Sequence, residues 1–91
     1  METVTISAKI IAKNKVEFYQ TMESLKVLVK NYCNEFDLDV SPDNNLTIKI
    51  DFNSMDEFKS NFHNNEFNIL KGSVRSLCDD VSVKINDVVT N

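Results

Sequence analysis

The chain contains a single histidine, His63, and histidine is the side-chain type that exchanges a proton near neutral pH. His63 is therefore the default proton acceptor of any chemistry here, although its place beside Phe62 turns it away from the inner face of its helix. Asn61 follows Phe58 by three positions and shares its face, so its carboxamide can donate and accept in the interior. Tyr19 and Tyr32 add phenols that need a hydrogen-bond partner if buried, and in a cleft that partner can be a ligand. Cys33 and Cys78 lack the spacing of a redox or zinc motif, and two cysteines with one histidine make a poor metal set. Free, largely buried thiols are expected, with no metal site.

These residues are held by elements that the pattern makes readable. In Phe52 to Phe67, FNSMDEFKSNFHNNEF, a strand end meets Ser54, whose hydroxyl can cap a helix while Glu57 reaches back. Met55, Phe58 and Phe62 then recur at helical spacing and predict an inner stripe. Asn64-Asn65 should interrupt that helix near His63, because paired asparagines compete for backbone hydrogen bonds. A second helical run follows, with Phe67, Leu70, Val74, Leu77 and Cys78 inward, closed by Asp79-Asp80.

Earlier in the chain, Val4, Ile6, Ala8 and Ile10 alternate with Thr5, Ser7 and Lys9, which predicts a half-buried strand. Asn14 with Glu17 reads as a second capping box, opening a helix from Lys15 to about Tyr32. Its stripe is Phe18, Met22, Leu25, Val29 and Tyr32, broadened by Leu28. Phe36, Leu38 and Val40, then Ser41 to Asn45, then Leu46, Ile48, Ile50 and Phe52 describe a hairpin. The predicted register opposes Val40 to Leu46, Leu38 to Ile48 and Phe36 to Ile50, and sets Asp37 against Lys49 on the polar side. Val81, Val83 and Ile85 form a last strand that frays after Val89. The order strand, helix, strand, strand, helix, strand predicts an α+β, ferredoxin-like domain over residues 1–91, with a four-stranded antiparallel sheet and both helices on one face.

Composition narrows the function classes. With 91 residues and 42% hydrophobic content, the chain supports one core. A net charge of −4 with scattered lysines argues against nucleic acid and against an anionic membrane surface as partners. No apolar run approaches the roughly 20 residues needed to span a bilayer, and no targeting pattern opens the chain. A cytoplasmic protein is expected.

The opening strand TVTISAKIIAK, the helix and hairpin that follow it, and the series Phe58, Asn61, Phe62, Asn65-Glu66-Phe67 resemble the antibiotic biosynthesis monooxygenase family along nearly the whole chain. That resemblance implies a homodimeric α+β barrel closed sheet to sheet. It also implies cofactor-independent oxygenation of a small aromatic or quinol-like substrate, which, once deprotonated, itself passes an electron to dioxygen. Phe52, Phe58, Phe62 and Tyr19 would then line the ligand pocket, and Asn61, Tyr32 and His63 would be the catalytic candidates, with no cofactor. Phe52 and Asn61 stand where the family often has Trp and His. The haem-degrading relatives carry an axial histidine where this chain has Lys71, and an asparagine near Ala8, so haem is not expected. The alternative is a non-catalytic ligand-binding or interaction module that keeps the fold. The outward sheet positions Thr5, Ser7, Lys9, Glu35, Asp37, Asp39, Thr47, Lys49, Asp51, Ser82, Lys84 and Asn86 are nearly all polar, which suits either a solvated face or a wet dimer interface.

Overall fold

A computed structural model describes residues 2–86 and 88–90. The strands are β1 (Glu2–Ile10), β2 (Glu35–Val40), β3 (Asn45–Phe52), β4 (Cys78–Ile85) and β5 (Val88–Thr90), and the helices are α1 (Lys15–Val29), α2 (Met55–Asn61) and α3 (Asn65–Leu77). All neighbouring strands are antiparallel, in the order β2-β3-β1-β4-β5. The first four strands carry the ferredoxin-like arrangement expected from the sequence. The expected fraying after Val89 is corrected: the chain turns at Asn86, which has a φ of 51°, and Val88–Thr90 returns beside β4 as a short fifth strand.

Alternation decides which side of the sheet the helices cover. Val4, Ile6, Ala8 and Ile10 on β1 and Leu46, Ile48, Ile50 and Phe52 on β3 are buried, as are Phe18, Met22, Leu25 and Val29 on α1 and Phe67, Leu70, Val74 and Leu77 on α3. One apolar layer joins them. The hairpin register is the expected one, with Val40 opposite Leu46, Leu38 opposite Ile48 and Phe36 opposite Ile50. Its loop is Ser41 to Asn44, one residue shorter than expected, because Asn44 adopts a φ of 66° and lets the Ser41 N–H donate to the Asn45 carbonyl. Asp37 and Lys49 are register partners, yet their side chains close no ion pair.

The local signals vary in outcome. Ser54 Oγ accepts from the Glu57 N–H at 3.1 Å, and Glu57 accepts from the Asn53 N–H, one residue before the cap. Asn64 caps α3 by accepting from the Phe67 N–H at 2.9 Å, so the asparagine pair is the junction between two helices. Asn14 makes no capping bond: it ends a 3₁₀ turn from Ala12, with φ −98° and ψ 2°, whereas a capping side chain needs an extended backbone. A 3₁₀ turn, Lys30–Tyr32, follows α1.

Two apolar assignments are corrected. Leu28 is 47% and Met55 42% exposed. Leu28 lies at the flank of the α1 stripe, and Met55 is the first residue of a helix only about two turns long, ahead of the ring cluster under α2. Cys78 opens β4 opposite Ile10 instead of ending α3. The two aspartates belong to the strand, and the β1–β4 register slips between Ser7 and Lys9, close to Asp80 with its φ of 56°.

Candidate functional site

Phe52 ends β3 pointing under α2 and α3 and is fully buried. Its ring meets Phe58 edge to face at 5.5 Å between centroids, Phe62 at 6.1 Å and Phe67 at 5.6 Å. Phe58 and Phe62 stack at 5.3 Å, and Phe62 tilts against Phe67 at 5.8 Å. Each such pair contributes about 0.5–1.5 kcal/mol beyond the area it buries. The rings expected to line a pocket pack on one another, with Phe58 9% and Phe62 3% exposed.

The polar candidates gather at one end of this cluster, already engaged. Asn61 is half-buried, and its Nδ2 donates to the Tyr32 carbonyl oxygen at 2.9 Å. That bond ties the end of α2 to the turn after α1. Tyr32 is half-buried and packs against the core. His63 lies just past α2 and is exposed, with its ring edge-on to Phe62 at 5.3 Å.

Lys71, weighed in the sequence only as the residue in place of an axial histidine, belongs to this polar group. It is half-buried, and its Nζ donates to the Phe62 carbonyl at 3.0 Å, lies 4.3 Å from the centre of the Phe62 ring and stands 3.3 Å from His63 Nδ1. Burial, and next the Arg75 charge, hold its amine below the usual lysine range. Where the Lys71 ammonium donates across this contact, His63 Nδ1 is the acceptor. The signal was present: Lys71 follows Phe67 by four positions, which places it beside the α3 inner stripe.

Tyr19 lies elsewhere. It is 42% exposed and sits edge-on to Phe18 at 5.9 Å, on the rim of a groove between α1 and β2. This cavity, about 220 Å³, is lined by Tyr19, Met22, Glu23, Lys26, Lys30 and the β2 residues Phe36 to Leu38. A second hollow of about 380 Å³ continues past Lys30 and Asp37 to Asn34 and Glu35. None of Phe52, Phe58, Asn61, Phe62 or His63 lines either one. The sequence did carry a hint, because Tyr19, Glu23, Lys26 and Lys30 recur along one flank of α1.

The thiols are quiet. Cys33 Sγ donates to the Val29 carbonyl at 3.5 Å, and burial, then Glu57 and Asp51, push its pKa from 9.0 to about 11 against the pull of Lys30. Burial and Asp79 raise Cys78 from 9.0 to about 11. Among the described residues, no helix is long and apolar enough to cross a membrane.

No protein-family model matches the chain, and no curated protein matches it in sequence. Its fold does have solved counterparts. A candidate antibiotic biosynthesis monooxygenase from Caulobacter crescentus CB15 superposes with a TM-score of 0.79 at 18% identity, over 98% of this chain and 90% of that one. A candidate of the same kind from Nitrosomonas europaea gives 0.78 at 10% identity, over 93% of this chain and 95% of the other. An antibiotic biosynthesis monooxygenase gives 0.76 at 16% identity, over 99% of this chain and all of that one. The resemblance read in the sequence thus has its counterpart in three dimensions, and at these identities the likeness establishes a shared α+β, ferredoxin-like fold with proteins described as antibiotic biosynthesis monooxygenases.

Proposed function

We propose that this chain is a binding or interaction module that keeps the monooxygenase fold without the oxygenase chemistry, and that it works as a homodimer. The carrying observation is that Phe52, Phe58, Phe62 and Phe67, the rings expected to line a pocket, pack against one another. Two further facts support it: the Asn61 amide is spent on the Tyr32 carbonyl, and Lys71 stands against His63 Nδ1. An oxygenase of this kind must bind, orient and deprotonate a phenol. Here the Asn61 amide that would orient a phenol is committed to the backbone, and the polar group over the Phe62 ring is the Lys71 amine, itself bonded to the Phe62 carbonyl.

Oxygen uptake tests the reading. Purified protein mixed with a reduced polycyclic quinol under air should consume oxygen no faster than buffer, and catalysed uptake abolished by Asn61→Ala would reverse the conclusion.

The oxygenase reading keeps support from the fold shared with described monooxygenases and from the grouping of Tyr32, Asn61 and His63 at one end of the rings. It requires Phe58 or Phe62 to swing aside and admit a small aromatic substrate. Faster quinol oxidation by Phe62→Ala than by the parent would favour it.

The dimer reading rests on the open face of the sheet, where Ser7, Lys9, Glu35, Asp37, Asp39, Lys49 and Lys84 are exposed. Pairing this face with its twin would leave charges wet or matched. Sedimentation at high concentration should give twice 10.4 kDa, and a persistent monomer would remove the dimer from the proposal.

A further inference from the structure

Lys71 lies at the junction of α2 and α3, and its Nζ is held from two sides. It donates to the Phe62 carbonyl at 3.0 Å and stands 3.3 Å from His63 Nδ1, with the centre of the Phe62 ring 4.3 Å away. Neither partner is a carboxylate. Among the described residues the one ion pair joins Lys26 to Glu23, so no acid fixes the charge on the Lys71 amine. Burial, and next the Arg75 charge, favour its unprotonated form. Lys71 and Arg75 also edge a narrow cleft between α3 and the sheet, walled by Ile6, Val74, Val81 and Val83.

We propose that Lys71 is a nucleophilic amine that takes small aldehydes carrying an anionic group into a Schiff base, with His63 relaying protons and Arg75 holding the anion. The neutral amine is the species that attacks a carbonyl carbon, and lysines with apolar surroundings serve in this way. Two of the three positions on Nζ beyond its carbon are directed at the Phe62 carbonyl and at His63 Nδ1. A neutral amine donating to both turns its lone pair to the third. Attack forms a carbon–nitrogen bond while the carbonyl π electrons pass to oxygen. Relayed through His63 Nδ1, the two amine protons reach that oxygen in turn, and it departs as water, leaving a carbon–nitrogen double bond. No oxidant or reductant is consumed.

The surroundings select the electrophile. The cleft has no room for a water molecule, so the reacting compound lies at its mouth and must be small. Arg75 follows Lys71 by four residues, on the same side of α3. It is exposed and joins no ion pair among the described residues, which leaves its guanidinium to a carboxylate or phosphate. The rival role is structural: Phe62 is the C-cap of α2, and a lysine ammonium can satisfy a carbonyl there. That role needs a charge and no nucleophile. The proposal goes beyond the reading of the chain as a module, and neither quinol oxidation nor sedimentation bears on it.

The test incubates the full chain with glyoxylate, glycolaldehyde phosphate or neutral glycolaldehyde, traps imines with cyanoborohydride and reads every lysine by peptide mass spectrometry. Lys71 should be trapped about tenfold faster than the other lysines, and faster with at least one of the two anions than with glycolaldehyde; which anion is preferred separates a carboxylate from a phosphate ligand. His63→Ala should slow trapping at Lys71 about tenfold and leave the other lysines at their parent rates, whereas a structural lysine would show no such selective loss. Arg75→Gln should erase the preference for the anion. Trapping at Lys71 no faster than at the median lysine would overturn the proposal. So would an unchanged rate at Lys71 in a His63→Ala protein whose circular dichroism matches the parent, or no preference for either anion.

Discussion

Around Phe52, aromatic rings from β3, α2 and α3 close on one another until nothing of Phe52 reaches solvent. Along β2, Phe36 and Leu38 belong to the same sheet face, yet they meet helix on one side and an open groove on the other. The difference lies in what stands over each. Two helices converge on the end of β3, whereas a single flank of α1 leans over the edge strand. Interior sites in this fold can be closed by a few ring contacts, while the sheet margin stays open because no further strand covers it.

The sharpest way to break this comparison is to remove the central ring. Phe52→Ala should lower unfolding free energy by about 3–5 kcal/mol, the usual consequence of deleting a fully packed phenyl group. A loss below about 1 kcal/mol in urea denaturation, within the range of an ordinary surface change, would mean that the rings are loosely packed and that an interior pocket is available.

Next in size is the chemistry of the thiols flanking this layer. With pKa values raised from 9.0 to about 11, the folded protein should carry on the order of 100-fold less thiolate at pH 8 than the unfolded chain. Iodoacetamide labelling followed by mass spectrometry should be slower by a comparable factor in native buffer than in urea. The sign of the linked stability follows. Below pH 9 both states keep their thiol protons and the contribution is full, and between pH 9 and 11 the unfolded chain loses its protons first, so stability falls as pH rises. Fast labelling of Cys33 in native buffer would show that the end of α1 opens readily.

The smallest expected effect sharpens the comparison at the polar end. Asn61→Ala leaves the Tyr32 carbonyl without its donor and should cost about 1 kcal/mol. A stability change indistinguishable from zero would free Asn61 from a structural duty and return it to the list of groups available to a ligand.

Much of this arrangement was legible because it depends on spacing. The β2–β3 register followed from opposing Leu38 to Ile48, since a slip of one residue would turn every apolar side chain outward. The Ser54 cap was readable because the hydroxyl and its N–H partner lie within three residues. Asn14 has the same residue pattern and makes no cap, because the backbone before it is already wound into a 3₁₀ turn. Nothing in the order of residues reveals that conformation. Met55 and Leu28 repeat with the core stripe, but periodicity assigns a direction and cannot say whether anything lies opposite.

What the residues determined unaided is the path of the chain and the identity of its apolar face, because those properties arise from neighbours two to four positions apart. Tertiary structure decided the fate of each candidate group. Asn61 became a tie because Tyr32, 29 residues earlier, delivers its carbonyl there, and Lys71 came to face His63 across the α2–α3 junction. Whether a row of phenylalanines lines a pocket or fills it depends on volumes contributed by three separate elements, and sequence spacing carries no measure of that volume.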